Sequence, residues 1–255
     1  MLQTVSQLLK VANIFGMFIM VHNMAATSEL HIPKIAILAS GGGSTAEAYA
    51  RAIHESRIEA EIGLLVVSNE AAGVLDKANR WNEEWGFDVK SAVVSNKLFP
   101  AGPRERGQSE EAATEICRLL DEAKVDLVLQ LGYMVIGNDP YISEWGFVPE
   151  RHSSMYQARA LNWHPGALPL TADTYGAGAS AAMLEAYRKG EVTEAAHTVH
   201  VLAQAVDAGP IVAATPVPIE SKDDVNSLFE RIQLVEKAVT PYVPEQFLKR
   251  QAATA

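Results

Sequence analysis

Cysteine is nearly absent: Cys117 is the single one in 255 residues. One thiol excludes an intramolecular disulfide framework and any multi-cysteine zinc site. It fits a reducing compartment, so a cytoplasmic location is expected. Basic residues are scarce as well. Lys and Arg number 21 against 31 Asp and Glu, for a formal net charge of −10. That balance argues against nucleic acid or an anionic membrane as the main partner, while leaving room for one small anion in a local site. The apolar run at 11–21 (VANIFGMFIMV) is too short for a membrane-spanning helix, which takes about 20 residues. There is no H-E-x-x-H, C-x-x-C or G-x-S-x-G, so zinc-peptidase, dithiol and nucleophile-elbow chemistries lack their usual signatures. What remains is ordinary globular composition, 48% hydrophobic and 20% charged, on a chain long enough to bury a substantial core.

Residues 1–33 read as an N-terminal extension. Lys10, the apolar run and the small residues Ala25 and Ala26 have the layout of an export signal. The cysteine-poor composition counts against export. Two other readings stand beside it. Met24 could be the true start, which makes the preceding residues dispensable, or the segment could form a helix docked on the domain.

From Lys34 onward short apolar runs alternate with longer amphipathic stretches. Residues 35–39 (IAILA), 62–68 (IGLLVVS), 89–94 and 125–131 (VDLVLQL) read as strands. Residues 45–56, 72–85 and 109–123 read as helices; Ala113, Ile116, Leu119 and Leu120 share one face of the last. The alternation predicts an α/β fold with a mostly parallel central sheet. Continuous apolar strands such as LLVV require helices on both faces. Residues 158–162 then lead into H-P-G-A-L-P at 164–169, where two prolines and a glycine predict a rigid loop. Residues 177–189 read as a helix ended by Gly190, and 198–203 and 211–218 as strands joined by D-A-G-P at 207–210. A final helix is expected over 223–239, capped by Ser221 or Asp223. The most loop-like interior segment is 95–110. Together with 170–178 it is expected to close over a bound substrate.

Three places could carry chemistry. The first is Ser40-Gly41-Gly42-Gly43-Ser44-Thr45, between a strand and a helix. Glycines let backbone N–H groups approach an anion, and the helix start adds unpaired donors and a positive dipole end. The spacing fits neither dinucleotide nor Walker-type loops, which leaves a monophosphate cradle or an ordinary tight turn. The second is Asn162-Trp163-His164-Pro165. On a strand end, residues 162 and 164 project to one side, so an amide donor and an imidazole proton shuttle face one point. The alternative is a loop-holding Asn and a packed His. The third is Asp207, a turn former unless it lies near His164, where it could stabilise an imidazolium. His200 reads as a satisfied histidine, Cys117 as core, and Trp81 with Trp85 as packing.

The order of these pieces resembles the folate-dependent formyltransferases, within them the branch that formylates glycinamide ribonucleotide. The matching pieces are ILASGGGS at 37–44, VVSN at 66–69, DLVLQLGYM at 126–134, LNWHPGALP at 161–169, TVHVLAQAVDAGPIV at 198–212, and Arg231-Ile232-Gln233 with Glu236. The resemblance implies a Rossmann-like formyltransferase fold over a catalytic domain at 34–250. It implies Asn162, His164 and Asp207 as the catalytic trio. Gly41, Gly42, Gly43, Ser44 and Thr45 would hold the ribonucleotide phosphate, with Gln233 and Glu236 on the same substrate. Leu131, Met134, Val135, Leu202, Ala203 and Val206 would line the folate pocket. The implied co-substrate is 10-formyltetrahydrofolate, with no metal, and the reaction is formyl transfer to glycinamide ribonucleotide in purine synthesis. Small-molecule substrates are the implied partners of a monomer or homodimer, with Asp207 keeping His164 charged.

The chain also departs from the family pattern. Thr45 stands where the family usually has Asn, Val135 where an Arg is common, and Asp173-Thr174-Tyr175-Gly176 where a P-G-L-H-type stretch is expected. A different amine acceptor, or hydrolysis of the formyl folate, are the alternative reactions. A non-enzymatic binder on the same fold would have no need of all three of Asn162, His164 and Asp207.

Overall fold

The structure, a computed structural model, describes residues 31–254 except 101 and 104. The extension expected at 1–33 lies outside the described residues as far as residue 30. So do the readings of a signal, a start at Met24 and a docked helix. Among the described residues no helix is long and apolar enough to cross a membrane.

Seven strands form one sheet in the order β3-β2-β1-β4-β5-β6-β7. They are β1 (Lys34–Ala39), β2 (Glu61–Val67), β3 (Lys90–Val93), β4 (Leu127–Gln130), β5 (Ala160–His164), β6 (Glu194–Val201) and β7 (Ile211–Pro218). The first five run parallel, and β6 and β7 are antiparallel to their neighbours, so the sheet is mostly parallel as expected. The chain lays β2 and β3 on one side of β1 and β4 on the other. The crevice beyond the carboxyl ends of β1 and β4 is therefore a topological switch point, the usual ligand position in open α/β sheets.

Both faces of the sheet are buried, by alternation along each strand. Ile35, Ile37 and Ala39 of β1 pack with Ala46, Tyr49 and Ala50 of α1 (Ser44–His54), Trp81 of α2 (Val74–Trp85) and Phe247 of α7 (Tyr242–Thr254). Ala36 and Leu38 face the other side, with Ile116 and Leu120 of α3 (Glu110–Glu122) and Tyr141 and Trp145 of α4 (Tyr141–Trp145). A third cluster joins α5 (Ala177–Arg188) and α6 (Val225–Val239) to β6 and β7 through Met183, Ala195, Val217, Leu228 and Ile232. Cys117 lies in the second cluster, where burial pushes its thiol up to about 12, and Trp81 stacks on Trp85 at 6.3 Å. Both are packing residues, as read from the sequence.

Some boundaries differ from expectation. Strand β5 runs on to His164, because antiparallel pairing with β6 satisfies its backbone up to the proline. β6 starts at Glu194, four residues before the expected Thr198, since its first half pairs with β7. Asp224, not Ser221 or Asp223, caps α6 by accepting from the Ser227 amide; Asp223 is engaged by Arg231 instead. Helices α4 and α7 were not foreseen.

Candidate active site

The loop after β1 turns on Gly43, whose φ is 65° and whose missing Cβ would sit 2.3 Å from Val74 Cγ2. No L side chain combines that backbone with that contact. The turn starts α1 with Gly41, Gly42 and Ser44 exposed at its mouth and Thr45 buried behind them. Ser40 braces the loop from beneath. Its hydroxyl oxygen accepts from Ser68 Oγ at 2.7 Å and from the Met134 amide at 2.8 Å, and its carbonyl accepts from Asn69 Nδ2 at 2.9 Å. Thus β1, β2 and the segment after β4 meet at one serine. Thr45 Oγ1 donates to Oε1 of Glu236 on α6 at 2.5 Å. Burial raises the Glu236 carboxyl, and the Thr45 hydrogen bond opposes that rise.

Asn162 and His164 leave β5 on the same face, two residues apart. Pairing sets Asn162 opposite His200 on β6, and Asn162 Nδ2 lies 3.0 Å from His200 Nε2. His200 Nδ1 lies 3.0 Å from the Val201 carbonyl, so Nδ1 carries the proton and Nε2 accepts from the amide. One amide N–H of Asn162 is thereby used, and its rotamer fixed, while the second stays available.

Asp207, with φ 52°, projects back from the turn after β6. Oδ2 lies 3.5 Å from His164 Nδ1, and Oδ1 lies 3.5 Å from His200 Nε2. These are ion-pair distances, longer than good hydrogen bonds. Oδ2 also accepts from the Asp173 amide at 3.1 Å. Burial pushes the Asp207 carboxyl up, but the facing His200 and His164 rings and the Asp173 amide outweigh it, and the net shift is down. His164 shifts down as well. Burial is the main cause and His200 adds to it, against upward pulls from Asp207 and Thr171. Asp207 thus pulls the ring toward its charged form, the direction the resemblance implies, while burial pulls it the other way. Desolvation of a buried imidazole exceeds the attraction of a carboxylate at this distance.

The residues singled out from sequence all line one cleft of about 310 Å³. Gly41, Gly42, Gly43, Ser44 and Thr45 line it from the α1 loop, and Gln233 and Glu236 from α6, with Glu236 bonded to Thr45. Leu131, Met134, Val135, Leu202, Ala203 and Val206 add apolar lining, and Asn162, His164 and Asp207 line the same cleft. Arg106, which has no motif of its own in the loop-like segment 95–110, and Tyr175, in the stretch that departs from the family pattern, also line it. Their contact, guanidinium to ring centroid at 3.9 Å, joins the segments 95–110 and 170–178. Arg106 Nη1 also approaches the Met134 carbonyl at 3.5 Å, beside Val135. A cation thus reaches this wall from another loop, although position 135 carries none. His200 was read as a packed histidine. It is buried, but its partners are Asn162 and Asp207, and only the β5–β6 register reveals that.

A family model described as formyl transferase matches residues 33–243. Phosphoribosylglycinamide formyltransferase of Bacillus subtilis is 28% identical over 215 residues, covering 84% of this chain and 94% of that protein. The trifunctional purine biosynthetic protein adenosine-3 of Homo sapiens is 30% identical over 208 residues, 82% of this chain; the match spans 18% of that longer protein. Among solved structures, glycinamide ribonucleotide transformylase 1 from Geobacillus kaustophilus superposes with a TM-score of 0.65 at 29% identity, covering 84% of this chain and 97% of that one. With the family model matched over most of its length, the chain belongs to the formyl transferase family.

Proposed function

We propose that residues 34–250 catalyse transfer of the formyl group of 10-formyltetrahydrofolate to the primary amine of glycinamide ribonucleotide, a step of purine synthesis leading to IMP. The observation that carries this reading is the convergence of Asn162, His164 and Asp207 in one cleft with the glycine-rich start of α1 and a set of apolar side chains. The Bacillus subtilis relative, covered over nearly its full length, supports the choice of acceptor.

The residues would divide the work as follows. Backbone N–H groups at the start of α1 and the Ser44 hydroxyl bind the phosphate. Glu236 and Gln233 contact the ribonucleotide beyond it, while Leu131, Met134, Val135, Leu202, Ala203 and Val206 enclose the folate ring system. The amine lone pair then attacks the formyl carbon. A C–N bond forms and the carbonyl electron pair moves onto oxygen. The free amide N–H of Asn162 donates to that oxygen, where charge develops. The new bond makes the attacking nitrogen acidic, and His164, neutral at rest, takes its proton at Nδ1. Asp207, already ionised, stabilises the imidazolium formed beside it. Collapse breaks the bond to the folate nitrogen, and His164 returns the proton to that leaving nitrogen. The products are the formylated amine and tetrahydrofolate.

Every side chain used comes from one chain, so a monomer or a homodimer would serve, and the single cysteine suits a cytoplasmic enzyme. The test is a formyl-transfer assay with glycinamide ribonucleotide, read by the absorbance of the folate product. Turnover that vanishes in His164→Ala is the expected result. Folate binding without transfer to this amine would overturn the acceptor. Formate release without any amine would favour hydrolysis.

A further inference from the structure

His197 on β6 is buried, and among the described residues neither of its ring nitrogens has a hydrogen-bond partner. It does not line the cleft. Its Nε2 lies 3.9 Å from Glu236 Oε2, an ion-pair distance rather than a hydrogen bond. Glu236 does line the cleft, and its other oxygen, Oε1, accepts from Thr45 Oγ1 at 2.5 Å. The carboxyl thus has one oxygen engaged by α1 and the other beside β6.

Burial holds the His197 ring down to about 3, and His164 adds to that, so His197 is neutral near neutral pH. A neutral imidazole has one N–H and one bare nitrogen. Hydrogen on Nδ1 would leave a buried donor with no acceptor and set the Nε2 lone pair against Oε2. Hydrogen on Nε2 aims the donor at a carboxyl oxygen and leaves only an acceptor unpaired, the milder deficit. The Thr45 contact has the length of a hydroxyl donating to an ionised carboxylate. Burial raises the Glu236 carboxyl, while Thr45 and the neighbouring Lys237 lower it. The groups that act on the pair are therefore Thr45 on α1, Lys237 on α6 and His164 on β5; β7 sets the uncharged Thr215 opposite His197. One hydroxyl is thin support for a charge out of water, and the ring is the other donor within reach of it.

We propose that His197 is a positioning residue for Glu236: its buried Nε2–H backs Oε2 as the Thr45 hydroxyl backs Oε1, and the two donors together keep the carboxylate as an acceptor for hydroxyl groups of a ligand in the cleft. A ribonucleotide offers such hydroxyls on its sugar. The consequence for that ligand rests on the proposed function; the pairing of His197 with Glu236 rests on the geometry of this chain.

The experiment reads the two separately. Carbon-13 NMR of the full chain without ligand, with the Glu236 carboxyl assigned by Glu236→Gln, follows its titration. Glu236 should take up its proton at a higher pH in His197→Leu than in the wild type, because a donor beside the anion is lost. His197→Gln, whose amide N–H₂ can stand in for Nε2, should bring it most of the way back. Nitrogen-15 NMR should find hydrogen on Nε2 of wild-type His197. In calorimetry at neutral pH, His197→Leu should weaken glycinamide ribonucleotide binding about fivefold, in the range of one net hydrogen bond, and leave folate binding unchanged. On acidification its affinity for the ribonucleotide should start to fall at a higher pH than the wild type's. An unmoved Glu236 titration in a folded His197→Leu overturns the proposal. So does hydrogen on Nδ1 of wild-type His197, even if His197→Leu fails to fold. Ribonucleotide and folate affinities that drop together also overturn it, since His197 then serves only the fold. A wild type that binds no ribonucleotide, with the Glu236 shift intact, leaves the pair standing and defeats the functional reading instead.

Discussion

Thr45 on the first turn of α1 donates its hydroxyl to Glu236 on α6, 191 positions away in sequence. The bond supplies a hydrogen to a buried carboxyl that burial alone pushes upward. Thr45→Val removes it while keeping the shape. The cost expected for a buried group left unsatisfied is about 1–3 kcal/mol, seen as a lower Tm. Glu236 also lines the cleft, so if it contacts the ribonucleotide as proposed, KM for that substrate should rise while KM for the folate does not. Equal changes in both would mean that Thr45 serves only the fold.

Asn162→Ala removes the amide proposed to meet the developing oxyanion, and Asp207→Asn removes the carboxylate that faces both His164 and His200. Each should lower kcat by at least about 10²–10³ and leave the far-ultraviolet spectrum unchanged. Asn162 is partly exposed on an edge of the cleft, so truncation leaves no buried hole. Near-wild-type turnover in either variant would sink the assigned roles.

The pH profile follows from the sign of two shifts. In the proposed transfer the active free enzyme has His164 neutral and Asp207 ionised. Burial lowers His164 below its ordinary value of 6.5, and the surrounding groups bring Asp207 down as well. Hence kcat/KM should hold level as pH falls from neutral through 6.5, then drop as His164 takes up a proton. Asp207→Asn loses the carboxylate that pulls His164 upward, so its residual activity should fall off at a still lower pH. An acid limb centred at 7 or higher in the wild type would contradict the burial argument.

How much of this was legible in sequence can be traced through particular residues. IAILA and IGLLVVS declare buried parallel strands, and a glycine-rich turn before Thr45 declares a helix start, because each property is local. That Asn162 and His164 share a side follows from strand period alone. Their company does not. His200 meets Asn162 only through the β5–β6 register, Asp207 arrives through a left-handed residue in a turn, and Thr171 packs through the absent side chain of Gly166. Helix α4 has five residues, too few to show a period, and α7 carries Pro244 in its first turn, which reads as a breaker yet is tolerated there. Arg106 and Tyr175 lie in loop-like stretches with no local signal of their contact.

That contact has its own measurable consequence. Tyr175 is 54% exposed, so the Arg106 guanidinium over its ring is a surface interaction. A double-mutant cycle of Arg106→Ala and Tyr175→Phe keeps the ring and reads little; Arg106→Ala with Tyr175→Ala should show a coupling of about 0.5–1 kcal/mol in stability. If the two segments close on substrate, saturating folate should raise that coupling. A coupling of zero with and without folate would mean that they do not act together.

The helix that brings Gln233 and Glu236 to the cleft is anchored at its start by Asp223. Its carboxylate accepts from Arg231 Nη1 at 2.6 Å and Nη2 at 2.8 Å, from the Glu220 amide at 2.7 Å and from Ser227 Oγ at 3.0 Å. Arg231 is the chief reason its carboxyl lies far below the usual range; burial opposes, and the Glu220 and Ser227 hydrogen bonds assist. The folded-state pKa is depressed. The stabilisation is therefore present above the unfolded value of about 3.9 and is lost as pH falls below it toward the folded value. Asp223→Asn cannot ionise and offers Arg231 one neutral oxygen. It should lower Tm at pH 7, and its Tm should decline less than the wild type's between about pH 4 and pH 2, where the native carboxylate takes up its proton. Parallel Tm curves across that interval would show that Asp223 is no source of acid sensitivity. If Gln233 and Glu236 contact the ribonucleotide as proposed, the same variant should weaken its binding more than that of the folate, because α6 carries both of them to the cleft.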